Sequence, residues 1–425
     1  MALQAGAARG SSYDRAMFSG LKQFAIWTCG RILPTAIAAI CVAQSAASQN
    51  AEPIRIGDLS SYGSYPAFTE PYRNGWRLAF EEINAAGGIL GKGVEIVSRD
   101  DAGTAAGAIQ AARDLVEKDK VSLLFGTFLS GAALAVADFA SQNKIVFIAT
   151  LPLSDDLTLA RGNRYTFRPL RASTYMQTAM LVDAARSIDA KRWAIIAPNY
   201  ELGLNAAETF KSLMGELDSD AEVVAEHYGP LGHLDATTAV DSLVAAKPDA
   251  IFSALFGADL AAFTREANRR GLLGGPAMLN LIAGEPEWLA ALGADVPAGA
   301  IVTGYAPDAI TDPKHQAFVK AYKAKFAVSP GFGSLIGYAA GYMIKDLIEK
   351  TGSLDPEKMV ETAENLSTDT IIGPLTMRGS DHQGTIGTFV GTLAVENGQG
   401  KLVNPKYVDG AEFLPPEELV KKLRP

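Results

Sequence analysis

Hydroxyl groups and glycines follow one buried strand in a pattern suited to binding a carboxylate. The run Val121–Phe125 is apolar at four of its five positions, which is typical of a buried strand, and Gly126, Thr127, Ser130 and Gly131 come soon after it. A helix that begins here presents free backbone N–H groups and the positive end of its dipole to an anion. The sequence therefore predicts that Thr127 and Ser130 contact a ligand carboxylate, although a plain helix cap also explains Ser130.

The glycine and serine motifs do not indicate catalysis or nucleotide binding. Ser130 lacks the Gly-x-Ser-x-Gly spacing of a nucleophile at a strand–helix turn. In Gly87–Gly93 a glycine follows the lysine where a phosphate loop needs a hydroxyl, and these glycines end a helix. Gly331–Gly337 is one residue longer than a dinucleotide fingerprint. We therefore expect no enzyme activity and no cofactor.

Histidines and cysteines give no metal-binding pattern. No histidine is paired with a glutamate or a second histidine at the spacing that zinc requires. All four lie in polar surroundings typical of solvated loops: His227, His233, His315 and His382. Cys29 and Cys41 both lie in the first 48 residues. The rest of the chain is therefore predicted to lack metal sites and disulfides.

Residues 1–48 have the layout of an export signal peptide. Basic residues up to Arg31 precede the apolar run Ile32–Val42 and the small-residue stretch Ala43–Ser48. Pro34 interrupts the run, which falls short of the ~20 residues of a membrane span. Cleavage after the small residues predicts a periplasmic protein. The segment carries a charge of +3, so the remainder carries −12 against −9 for the whole chain, which argues against nucleic acid and anionic membranes as partners.

The elements that must position the binding loops alternate along the chain. Ile54–Leu59 alternates like a strand, and Val94–Arg99 alternates again. Between them the apolar residues of Tyr72–Ile83 recur at helical spacing, with Thr69 as the predicted N-cap. A second series of strands and helices follows from Thr174 to Ile282, and continuous apolar stripes predict two further helices, Pro313–Phe326 and Ser334–Thr351. The pattern predicts an α/β fold of two doubly wound parallel-sheet lobes, with ligands at the carboxyl ends of the strands.

The first strand–helix–strand unit resembles a known family. Ile54–Leu59, Asn74-Gly75, Glu81–Ile89 and Asp100-Asp101 resemble the start of the leucine/isoleucine/valine-binding-protein family, the solute receptors of branched-chain amino acid ABC importers. The resemblance continues to about Gly400. It implies a type I periplasmic binding protein, a clamshell with three hinge crossings that closes on a small ligand and delivers it to a membrane permease.

Domain boundaries follow from the predicted crossings near Pro169, Gly304 and Gly391. Lobe 1 is expected to comprise residues 53–168 and 304–386, and lobe 2 residues 169–303 and 387–410. Residues 411–425 are interpreted as a surface tail. We expect a soluble monomer.

The resemblance also transfers roles to individual residues. Ser130 matches the serine that holds the substrate carboxylate, and Tyr200 matches a tyrosine that helps to close the site. Amino-acid receptors of the family carry an acidic residue for the substrate ammonium in the loop where this chain has Leu281. Glu285 reaches that place only if it is displaced by several residues, and a buried ammonium without a partner is strongly disfavoured.

The loops after the strands together predict an apolar, aromatic-rich cavity. The predicted ligand-binding residues are Tyr62, Thr127, Phe128, Ser130, Thr150, Leu151, Arg168, Tyr200, Phe256 and Leu281. Arg168 or its neighbour Arg171 adds a charge-assisted bond to a carboxylate, unless both form ion pairs at the hinge. The predicted ligand is a small apolar or aromatic carboxylate. A branched-chain or hydrophobic amino acid, bound through Glu285, and a ligand-sensing ectodomain remain the alternatives.

Overall fold

Strands and helices alternate through residues 52–425, the part of the chain that the computed structural model describes. The predicted export signal in residues 1–48 lies outside this range. The strands are β1 (Ile54–Ser60), β2 (Val94–Asp100), β3 (Leu124–Gly126), β4 (Phe147–Ala149), β5 (Thr166–Phe167), β6 (Arg192–Pro198), β7 (Glu222–Gly229), β8 (Ala250–Ser253), β9 (Ala277–Gly284), β10 (Ile301–Gly304), β11 (Ser367–Asp369), β12 (Pro374–Arg378), β13 (Gln383–Gly384), β14 (Thr388–Glu396) and β15 (Gln399–Val408). The helices are α1 (Pro66–Ala85), α2 (Ala105–Arg113), α3 (Ser130–Asn143), α4 (Thr174–Ala185), α5 (Glu201–Leu217), α6 (Ala236–Ala246), α7 (Gly257–Arg269), α8 (Pro286–Leu292), α9 (Pro313–Phe326), α10 (Phe332–Thr351), α11 (Pro356–Ala363) and α12 (Glu417–Leu423).

The first sheet is fully parallel and has the strand order β2-β1-β3-β4-β5. Helix α1, predicted to start after Thr69, begins earlier, at Pro66, where the proline ring presets a helical φ. It packs closely on α10 because glycines lie at the crossing. A Cβ on Gly75 would come within 2.2 Å of the Ser334 carbonyl oxygen, so the helices approach only without a side chain there.

The second sheet has seven strands in the order β15-β14-β10-β9-β8-β6-β7, of which β14 and β15 run antiparallel to their neighbours. The two sheets confirm the predicted α/β class with two doubly wound lobes. The β14–β15 hairpin was not predicted. It turns at Asn397 and Gly398, whose φ values of 53° and 76° suit the tight turns that asparagine and glycine favour.

The chain passes between the two sheets after β5, after β10 and before β14. Gly391, near which the third crossing was predicted, pairs with Val302 inside the second sheet, so the chain crosses a few residues earlier. Gln383 joins two of the crossings. Its Oε1 accepts a 2.7 Å hydrogen bond from Nε of Arg168, and its Nε2 donates to the carbonyl oxygen of Arg171 at 3.0 Å. The crossings are therefore held together by buried side chains.

Two of the four histidines correct the prediction of solvated loops. His315 is fully buried and its Nε2 lies 2.7 Å from the Tyr305 hydroxyl. His382 stacks on Phe167 with 4.1 Å between ring centroids. Burial lowers the pKa of each to about 4, so both are neutral structural side chains at pH 7. Among residues 52–425, no group of three acidic, histidine or cysteine side chains is arranged to hold a metal ion.

The last residues are more ordered than a surface tail. They form α12, and Arg424 donates from Nη1 to the carbonyl oxygens of Thr158 and Asp381, both at 2.7 Å. None of the helices described between residues 52 and 425 has the length and apolar character needed to cross a membrane.

Candidate functional site

Loops from the ends of both sheets surround one small cavity. Its volume of about 30 Å³ exceeds the ~10–15 Å³ that one water needs but is too small for a ring, so a ligand requires the two sets of loops to move apart. The cavity is lined by Phe68, Phe128, Leu129, Ser130, Leu151, Leu153, Arg171, Tyr200, Leu202, Phe256, Ile282, Glu285 and Trp288.

Aromatic rings form the apolar wall of the cavity. Phe68 of α1 stacks on Trp288 of α8, with 5.4 Å between centroids and 24° between planes. Phe128 lies 5.0 Å from Phe68, and Phe256 lies 5.9 Å from Trp288. The wall thus joins loops of both sheets, and it suits a ligand with a ring or an aliphatic tail.

The predicted carboxylate position at the start of α3 is partly filled by the protein itself. The backbone N–H of Gly131 donates to the Tyr200 hydroxyl at 2.9 Å, and Ser130 Oγ accepts from the Ser154 N–H at 3.2 Å. Thr127 is buried behind this position, has a φ of 59°, and its Oγ1 has no hydrogen-bond partner. Tyr200 therefore closes over the helix start.

A buried ion pair forms the polar side of the cavity. Arg171 Nη2 lies 2.7 Å from Glu285 Oε1, and both side chains are about 4% exposed. Glu285 Oε2 accepts a further hydrogen bond from Trp288 Nε1 at 3.1 Å. Burial raises the pKa of Glu285 to about 7, although Arg171 opposes the shift, and burial lowers the pKa of Arg171.

The guanidinium of Arg171 also has donors to spare. It lies 4.6 Å from the centroid of the Phe332 ring, and neither Nε nor Nη1 has a hydrogen-bond partner. These two nitrogens carry most of the N–H donors of an arginine. An unpaired buried donor is costly, so this arrangement favours a ligand that accepts hydrogen bonds.

A bulge at the end of β9 determines which of two neighbouring residues lines the cavity. Leu281, predicted to line the site, is packed in the core and is absent from the cavity lining. Ile282 lines the cavity instead. Its φ of 60° is rare for a β-branched residue, and its N–H donates to Thr303 Oγ1 at 2.8 Å. The bulge turns the side chain of Ile282, rather than that of Leu281, towards the ligand space.

Five of the predicted residues come together at the cavity, namely Phe128, Ser130, Leu151, Tyr200 and Phe256. Three others are occupied elsewhere. The Tyr62 hydroxyl donates to Asp58 at 2.6 Å, and Thr150 Oγ1 donates to the Tyr72 hydroxyl at 3.2 Å. Arg168 is buried in the hinge, with Nη1 donating to the Ser154 carbonyl oxygen at 2.6 Å.

Sequence reasoning missed Phe68 and Trp288. Phe68 looked like part of the loop because the helix was predicted to start later. Trp288 lies two residues after Pro286, and a proline at a helix start was the available signal for α8.

Comparisons with known proteins identify the family of the chain. Residues 53–399 match the profile of the family described as periplasmic binding protein. Leu/Ile/Val-binding protein homolog 3 of Brucella melitensis is 28% identical over 322 residues, which cover 74% of this chain and 84% of that protein.

Solved structures share the fold. A solute binding protein of an ABC transporter from Rhodopseudomonas palustris, in complex with 3,4-dihydroxybenzoic acid, superposes with a TM-score of 0.75 at 21% identity, covering 84% of this chain and 98% of its own. The branched-chain amino acid transporter substrate binding protein from Streptococcus pneumoniae, in complex with isoleucine, gives 0.74 at 22% identity, covering 84% and 100%. The family profile spans most of the chain, which therefore belongs to the periplasmic binding protein family.

Proposed function

We propose that this protein is a periplasmic solute receptor of an ABC importer that captures a small apolar or aromatic monocarboxylate. The observation that carries the proposal is the composition of the cavity. Aromatic and aliphatic side chains form most of its lining, and the one acidic group in that lining, Glu285, is already paired. The receptor binds and releases its ligand without changing it.

The state of Glu285 decides between an acid and an amino acid. An α-ammonium group in a closed cavity needs an anionic or carbonyl partner, because burying it unpaired is strongly unfavourable. Each carboxylate oxygen of Glu285 already accepts one hydrogen bond, from Arg171 and from Trp288. The unused polar atoms of the ion pair are N–H donors of Arg171. The cavity thus offers more to an anion than to a cation.

A hydrophobic amino acid is the second candidate, and one observation favours it. Glu285 lines the cavity, although the sequence suggested that it would have to be displaced to do so. Curated relatives carry the name Leu/Ile/Val-binding protein at 28% identity. In this case the ammonium would replace Arg171 at Glu285. Fold does not decide, because structures with both kinds of ligand superpose equally well.

Matched ligand pairs test the two candidates. Leucine and 4-methylpentanoate differ only in the amino group, as do phenylalanine and 3-phenylpropanoate. We expect calorimetry of residues 52–425 to show that at least one acid binds more tightly than its amino acid, by tenfold or more. Tighter binding of each amino acid than of its matched acid would overturn the proposal and establish the second candidate.

Delivery to a permease and export to the periplasm are part of the same proposal. We expect the purified protein to be a monomer by light scattering. Mass spectrometry of periplasmic material is expected to give a chain that begins close to Ala47 or Ser48. A retained leader would contradict the export step without affecting the ligand class.

A further inference from the structure

We propose that Arg171 at the first hinge crossing, rather than the helix start at Ser130, binds the carboxylate of the ligand. This inference rests on the proposed function and assigns the orientation of the ligand within the same cavity. The carboxylate points towards the hinge, and the apolar part points towards Phe128 and Tyr200.

The first step concerns the helix start. An anion at the N-terminus of α3 would use the free N–H groups of its first turn. Here the Gly131 N–H is bonded to the Tyr200 hydroxyl at 2.9 Å, and Ser130 Oγ already accepts from Ser154. A Cβ on Gly131 would also lie 3.8 Å from the Tyr200 ring, which shows how closely the tyrosine covers this position. In the closed arrangement a carboxylate at this position must therefore replace the Tyr200 hydroxyl at the Gly131 N–H.

The second step concerns the donors of Arg171. Its side chain is buried, it lines the cavity, and Nε and Nη1 are both without partners. A buried guanidinium normally donates a hydrogen bond from each of its nitrogens. Arg168, three residues earlier in the chain, does so. Arginine is also the side chain whose planar donors best match a carboxylate. The unpaired donors of Arg171 therefore mark the anion-binding end of the cavity.

The third step concerns how Arg171 is held in place. Nη2 is bonded to Glu285 at 2.7 Å, the guanidinium lies over the Phe332 ring at 4.6 Å, and the carbonyl oxygen of Arg171 accepts from Gln383 at 3.0 Å. Glu285 is held in turn by Trp288. The guanidinium is thus oriented before the ligand arrives, which reduces the entropy lost on binding.

Placing the carboxylate at the hinge side also links binding to closure. Arg171 belongs to a crossing, Glu285 follows a strand of the second sheet, and Phe332 starts a helix packed against the first. A ligand anion at Arg171 therefore contacts the point where both halves meet.

The test compares an acid with its neutral amide, 4-methylpentanoate with 4-methylpentanamide, or benzoate with benzamide if wild type binds benzoate. The measured quantity is the ratio of the two dissociation constants. Arg171→Gln alone leaves Glu285 buried without its partner, so the main variant is the double substitution Arg171→Gln, Glu285→Gln, which removes both charges and keeps a polar side chain at each position. Ser130→Ala is the matched variant at the other end, and circular dichroism confirms that each variant is folded.

We expect wild type to bind the acid more tightly than the amide. In the double variant the ratio of the two dissociation constants is expected to shift towards the amide by more than about tenfold. In Ser130→Ala the same ratio is expected to change by less than about threefold. Arg171→Lys keeps the charge and is expected to fall between wild type and the double variant. Preference kept in the double variant but lost in Ser130→Ala would overturn the assignment to Arg171. Failure of wild type to bind any acid would instead overturn the proposed function. The proposed function is therefore tested on wild type, and the assignment to Arg171 is tested on the variants.

Discussion

Glu287 on α8 makes a contact that we expect to hold the two halves of the protein closed. Its Oε1 accepts from the Gly333 N–H at 2.8 Å and its Oε2 from the Phe332 N–H at 3.1 Å, at the start of α10. The helix α8 follows a strand of the second sheet, whereas α10 packs on α1 beside the first. The substitution Glu287→Gln removes the charge with almost no change in size.

The magnitude follows from the two hydrogen bonds. Hydrogen bonds to charged groups contribute about 1.5–3 kcal/mol, and a negative charge at a helix N-terminus adds about 0.3–1 kcal/mol. Glutamine retains one acceptor oxygen but presents an NH₂ group to the second N–H. We therefore expect the closed arrangement to lose about 1–3 kcal/mol, which is roughly a 5- to 150-fold change in the ratio of closed to open molecules.

Small-angle scattering without ligand and calorimetry with ligand measure this change. The variant is expected to have a larger radius of gyration than wild type and a dissociation constant weaker by up to the same factor, because binding must supply the lost closure energy. Glu418→Gln, at an exposed position on α12, is the matched control. Unchanged dimensions together with unchanged affinity would refute a closing role for Glu287.

Two further predictions concern pH. Protonation of Glu285, whose pKa is about 7, removes the negative charge beside Arg171, so an acid ligand is expected to bind about three- to tenfold more tightly at pH 6 than at pH 8 and to take up protons on binding; a flat calorimetric profile would count against this. Burial raises the pKa of Asp58 to about 7 although Ser98 and Tyr62 donate to it, so its contribution to stability is present at low pH and is lost as pH rises towards 7. Relative to Asp58→Asn, the free energy of unfolding of wild type should fall by up to about 3 kcal/mol between pH 5 and pH 8. Equal pH dependence of the two proteins in denaturant titrations would show that Asp58 is not the titrating group.

Long periodic segments were predictable, and short or irregular ones were not. The predicted helix Pro313–Phe326 has the same bounds in the structure, because a proline at its start and a continuous apolar stripe mark it locally. The strands β11 and β13 have three and two residues, too few to show a period. The hairpin at Asn397-Gly398 carried a recognisable turn signal, but its flanking strands are only half buried and alternate weakly.

The loops of the site were predictable from topology, whereas the direction of individual side chains was not. In doubly wound sheets the loops after the strands lie at one edge, and these edges of the two sheets bring Phe128 of the first together with Tyr200 and Phe256 of the second, as expected. Leu281 was predicted to line the cavity because it lies where amino-acid receptors of the resembling family carry an acidic residue. The positive φ of Ile282 turns the next side chain towards the cavity instead, and it depends on Thr303 in the adjacent strand, which local sequence does not show.

Arg168 and Arg171 show why the polar end of the site required the structure. Both arginines lie in the same crossing, three positions apart, and nothing local distinguishes them. Gln383 does so from 215 residues away, by accepting the Nε–H of Arg168 and thereby fixing that side chain within the hinge. Glu285, more than a hundred positions further along the chain than Arg171, pairs with only one nitrogen of Arg171 and leaves its other donors free. Which arginine donors are available in the cavity thus depends on the distant partner that each side chain meets.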